Sequence, residues 1–84
     1  MKPIRFTVHA LEKLELMREW GFVIDEEMVI EFLKHPQDII HGYSGRFIAQ
    51  SMLDENHVLR VVYEEGEEIL VVTLYPGRRQ RYAH

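Results

Sequence analysis

The sequence has no cysteine. A disulfide, a thiol nucleophile and a cysteine-based zinc site are thereby excluded, and a reducing compartment is the natural setting. No apolar run approaches the roughly 20 residues of a membrane-spanning helix. No charged-then-apolar leader opens the chain either, so the expectation is a cytoplasmic protein with no membrane partner. Glycine-rich phosphate loops and nucleophile elbows are missing. The histidines His9, His35, His41, His57 and His84 lack the tight spacing of metal ligands, and neither a metal nor a cofactor is called for. Repeats, low-complexity tracts and linkers are absent. The 84 residues therefore read as one domain, 1–84, with a modest core and no covalent staple.

What the chain does have is charge, unevenly placed. Its net charge is −4. Residues 1–76 carry 14 acidic and 7 basic side chains, whereas residues 77–84 add Arg78, Arg79 and Arg81 and no acid. Nucleic-acid binding rests on neutralising phosphates. An acidic body does not supply that, so any such contact must come from a local patch.

After a short extended start, KPIRFT, residues 8–20 read as a helix. Glu12, Glu15 and Glu19 share one narrow face, and Ala10, Leu14, Leu16, Met17 and Trp20 span the opposite arc. Gly21 is its stop. Asp25 caps a second helix over about 26–35, with Met28, Val29, Phe32 and Leu33 as the buried stripe and Pro36 as its end. From Asp38 the pattern changes to strands: QDIIHGY, GRFIAQSML, HVLRVVYEE and EEILVVTLY.

Glu65-Gly66 reads as a two-residue hairpin turn. It sets Val62 opposite Ile69 and Arg60 opposite Val71. A three-residue loop over Asp54-Glu55-Asn56 sets Gln50 opposite Arg60 and Ala49 opposite Val61. Alternation along the strands then sorts two faces. One carries Phe47, Ala49, Leu59, Val61, Tyr63, Leu70, Val72 and Leu74 and belongs under the helices. The other is mixed, with Arg46, Ile48, Gln50, Arg60, Val62, Ile69, Val71, Thr73 and Tyr75. Two helices cannot cover both.

Three groups carry chemistry. His9 and Lys13, four residues apart, share a helical side that points toward packed structure. They suit a proton-transfer pair or a phosphate holder, or else sit at the rim with Lys13 reaching water. Arg46 and Arg60 on the open face suit bidentate phosphate contact; Arg46 also has Glu64 or Glu67 as an ion-pair partner near the hairpin end. The tail Arg78-Arg79-Gln80-Arg81-Tyr82 follows a Pro76-Gly77 turn signal. It either folds back beside the sheet, where Tyr82 stacks on a base or donates a proton, or ends as a mobile terminus.

FTVHALEKL with a glycine after it, a short helix ending in proline, GRFIAQ, LRVVYEE and VVTLYPGRRQRY together resemble the small proteins grouped as domain of unknown function 4258. That family is placed near the RelE/ParE-type toxins of toxin–antitoxin pairs. The resemblance covers nearly the whole chain, with His9-Ala10, Gly45-Arg46 and Val71-Val72-Thr73 matching in order and approximate spacing. It implies an α+β fold, two N-terminal helices packed on one face of a four-stranded antiparallel sheet, in agreement with the face sorting. It also implies a metal-independent endoribonuclease, with RNA as target and an antitoxin protein as partner. On that reading His9, Lys13, Arg60 and Tyr82 are catalytic, and Arg46, Arg78 and Arg81 bind substrate. The reaction would be attack by the RNA 2′-hydroxyl on the adjacent phosphorus. Lys13 stands where family members often have arginine, which weakens bidentate holding there. The rival reading is a non-catalytic interaction module, a homodimer or partner binder. Its mixed sheet face would use Ile48, Val62, Ile69 and Val71 for burial.

Overall fold

In the computed structural model, which describes residues 2–82 and the last of these by its backbone alone, two polar side chains start the helices. Thr7 Oγ1 accepts from the Ala10 N–H at 3.0 Å and opens α1, Val8–Glu19. Asp25 Oδ1 accepts from the Met28 N–H at 2.9 Å and opens α2, Glu26–Lys34. Each contact satisfies an N–H that a helix start leaves without an intrahelical partner. Gly21 leaves α1 with φ +95°, a left-handed turn that glycine enters without steric cost. α1 buries the narrow line Ala10, Leu14 and Met17. Leu16 and Trp20, expected beside them, are 41% and 55% exposed.

The strands are β1, Ile4–Phe6; β2, Asp38–His41; β3, Phe47–Met52; β4, His57–Glu65; and β5, Ile69–Arg78, followed by a short helix α3, Arg79–Tyr82. They form one five-stranded sheet in the order β1-β5-β4-β3-β2. This corrects the expected four-stranded antiparallel sheet with two helices. The short start of the chain is itself a strand, paired parallel with β5 through Ile4–Ile69, Arg5–Leu70 and Phe6–Val71. Three residues are too few to show an alternating pattern, so only the partner strand defines them as β. The Ile69 N–H donates to the Pro3 carbonyl at 2.8 Å and the Thr7 N–H to the Val71 carbonyl at 3.0 Å. The third helix comes from the arginine tail, after a β5 that runs straight through Pro76 and Gly77. Proline is tolerated there because β1 flanks only residues 69–71, which leaves that side of β5 an open edge.

The β3–β4 register is the expected one, with Ala49 opposite Val61 and Gln50 opposite Arg60. The β4–β5 register is not. The hairpin loop is Gly66–Glu68, and Glu65 pairs with Ile69. A bulge then shifts the ladder, so that Tyr63 faces Val71 while Val62 faces Thr73. Val72 is the extra residue, and one extra residue reverses the side-chain parity on either side of it. Ile69 and Val71 therefore turn into the core, at 8% and 0% exposure. Leu74, beyond the bulge, points inward as expected. Ile69 and Val71 are thus withdrawn from the surface that the interaction-module reading gave them.

The core lies between the helices and one sheet face. Met17, Ile24 and Val29 pack there with Leu59, Val61, Val71 and Leu74, all fully buried. Arg60 and Val58 alternate with these positions along β4 and so emerge on the side without α1 and α2. Among the described residues, no helix is long and apolar enough to cross a membrane.

Candidate functional site

The face turned away from α1 and α2 carries a polar row. The strand register aligns Asp38 with Gln50, Gln50 with Arg60, and Arg60 with Tyr75, across four strands. Arg60 is only 8% exposed. A guanidinium held out of water must be hydrogen-bonded or it destabilises the fold. Its Nε donates to the Tyr75 hydroxyl at 3.0 Å and its Nη1 to Gln50 Oε1. Its Cζ lies 5.8 Å from the Tyr75 ring centroid. Arg60 is thus a clamp between strands, with Nε and Nη1 both engaged within the protein.

The remaining anticipated residues do not gather around it. His9 is exposed on α1, and Lys13 Nζ stands 5.7 Å over the Trp20 ring. α1 packs on the opposite side of the sheet from the Arg60 side chain. Arg46 donates from Nε to Glu64 Oε2 at 3.1 Å, the exposed ion pair foreseen as its alternative. The Tyr82 side chain lies outside the described residues. Arg78, Arg79 and Arg81 are exposed.

A second group of side chains does gather, at the end of the sheet where β4 begins and β5 finishes. The first residue of β4 pairs with the last of β5, which sets His57 beside Arg78. The Arg79 N–H donates to the Asn56 carbonyl at 2.8 Å and ties the start of α3 to the β3–β4 loop. The result is a cleft of about 610 Å³ lined by Glu55, Asn56, His57, Arg78, Arg79 and Gln80. A neighbouring basic hollow continues past Gly77 to Arg81.

His57 is held on two sides. Its ring meets Phe22 edge-on, with centroids 4.9 Å apart and planes at 76°. Its Nδ1 lies 2.8 Å from Asp54 Oδ1 and 3.1 Å from Oδ2. The Asn56 backbone N–H, 2.8 Å from the same carboxylate, and then the His57 ring hold the Asp54 carboxyl below its ordinary value of 3.8. An ionised carboxylate only accepts hydrogen bonds, so Nδ1 carries the hydrogen. Nε2 then has its lone pair available when the ring is neutral, and it makes no hydrogen bond among the described residues. An oriented imidazole beside two exposed guanidiniums can bind an anion and move a proton next to it.

Sequence reasoning assigned no chemistry to His57 because it worked with the wrong β4–β5 register. Under a two-residue turn, His57 falls opposite Leu74. In the folded chain Arg78 occupies that place. The available signal was Asp-x-x-His across a three-residue loop whose flanking Leu53 and His57 are backbone-paired at 2.9 Å.

Comparison with family models, with curated proteins and with solved structures finds no match to this chain.

Proposed function

We propose that this chain binds RNA in the cleft at the end of β4 and β5 and cleaves it without a metal ion. The observation that carries the reading is the Asp54–His57 pair set beside Arg78 and Arg79. His57 Nε2 would take the proton from a ribose 2′-hydroxyl. The 2′-oxygen would bond to the adjacent phosphorus as the bond from phosphorus to the 5′-oxygen breaks, and the leaving oxygen would take up a proton. A 2′,3′-cyclic phosphate and a 5′-hydroxyl result. Arg78 and Arg79 would bind the phosphate and stabilise the charge that grows on it. Asp54 would hold the imidazole in the tautomer that leaves Nε2 a base. The roles first given to His9, Lys13 and Arg60 pass to His57, Arg78 and Arg79, while Arg81 remains a phosphate contact in the adjoining hollow.

The test is cleavage of a single-stranded RNA oligomer by the purified protein in chelator, with the product ends analysed. General acid–base help of this kind is worth about 10²–10⁴-fold, so His57→Ala should slow cleavage by that factor without unfolding the chain. Absence of cleavage by the wild type, or equal rates for His57→Ala, would refute the reading. The toxin reading adds growth arrest on expression in a cytoplasm, relieved by co-expression of an antitoxin protein.

A further inference from the structure

Val8, Leu11, Glu12, Glu15 and Glu19 form one stripe on α1, and Leu16 borders it. At about 100° per residue this stripe lies opposite the buried line of Ala10, Leu14 and Met17. A surface helix of a small domain is usually polar on its outer side. Here Val8 is 72% exposed, Leu11 40% and Leu16 41%. These residues and the three glutamates line a shallow groove of about 360 Å³. Among the described residues, none of the three carboxylates makes an ion pair. The helix therefore carries a second, partly apolar stripe opposite the one it buries in the core.

From this geometry we infer that the outer stripe of α1 docks a basic amphipathic helix of a partner protein. The stripe runs roughly 16 Å along the axis, which matches three turns of a second helix laid along it. Apolar side chains of that helix would cover Val8, Leu11 and Leu16, and its lysines or arginines would meet Glu12, Glu15 and Glu19. A second copy of this chain docked α1 to α1 would set glutamate against glutamate, an arrangement that like charges oppose. The inference does not depend on RNA cleavage, because the stripe and the His57 cleft share no residue.

The test measures binding of three labelled synthetic peptides to the full chain by fluorescence anisotropy. The first is a helix with leucines at i, i+3, i+4 and i+7 and lysines at the flanks. The second scrambles its order, and the third replaces each lysine with glutamate. The first should bind, with the other two at least about tenfold weaker. Leu11→Glu should abolish binding, and Glu12→Gln/Glu15→Gln/Glu19→Gln together should weaken it about tenfold at low salt. Circular dichroism checks that both variants keep the fold; the three glutamines replace exposed residues and leave the core untouched. Failure of the first peptide to bind, equal binding of the scrambled one, or binding indifferent to both variants would overturn the inference. So would a dimer, seen by light scattering, that Leu11→Glu dissolves, since α1 would then be covered by a second copy.

Discussion

Tyr75→Phe removes one oxygen atom, and the fold says what that atom does. It accepts from Arg60 Nε at 3.0 Å, and Arg60 is only 8% exposed. Hydrogen bonds to charged groups contribute about 1.5–3 kcal/mol, and leaving a buried donor without an acceptor costs about as much. Arg60 keeps its bond to Gln50, so the guanidinium is not stripped of partners. The expected loss is therefore at the lower end, about 1.5–2 kcal/mol. For a chain of this size that lowers Tm by roughly 6–16 °C. Tyr63→Phe is the same chemical change on the helix side of the sheet. Tyr63 is 6% exposed, its ring stacks on Phe47 at 5.6 Å, and its hydroxyl makes no hydrogen bond among the described residues. Its stability should stay within about 0.5 kcal/mol of wild type. Urea and thermal unfolding followed by circular dichroism measure both. Equal effects at the two tyrosines, or a Tyr75→Phe loss below about 0.5 kcal/mol, would refute the assignment of Arg60 to a structural clamp.

Other outcomes follow from the same geometry. Arg60→Met should lower stability yet leave RNA cleavage near wild type below its melting temperature, whereas Arg78→Ala and Arg79→Ala should keep the melting temperature and weaken RNA binding. Each arginine lost should reduce the salt slope of single-strand binding by about 0.7. Asp54 has a folded value below its ordinary 3.8, so its contribution to stability is present above pH 3.8 and is lost as pH falls through the folded value. The stability gap between wild type and Asp54→Asn in urea should accordingly be present above pH 3.8 and close in acid. Burial first, then the Glu65 carboxylate, pushes the Tyr63 phenol above its ordinary 10.0. The unfolded chain then ionises before the folded one, so stability should fall as pH rises past 10.0 toward the folded value, and Tyr63→Phe should lessen that fall in alkaline urea titrations.

The helices were legible because their signals are local. Asp25, Gly21 and Pro36 mark ends through contacts with residues a few positions away. The β3–β4 pairing was legible for a similar reason, since a three-residue loop leaves one way to close the ladder. Arg46 had its carboxylate partner on the adjacent strand and found it in Glu64. The site was not legible. Asp54 and His57 are near neighbours in sequence, but Arg78 joins them only through a strand pairing that spans the whole length of β4.

By itself, then, the amino-acid order determined two helices, the strands that follow them and the pairing of β3 with β4. Tertiary structure alone decided that residues 4–6 are a strand, that Val72 bulges, and that His57 stands beside Arg78. Caps and tight turns draw their free energy from contacts within one turn of chain. The register of two long strands draws it from every side chain they bury, and a single unpaired residue is enough to exchange their faces.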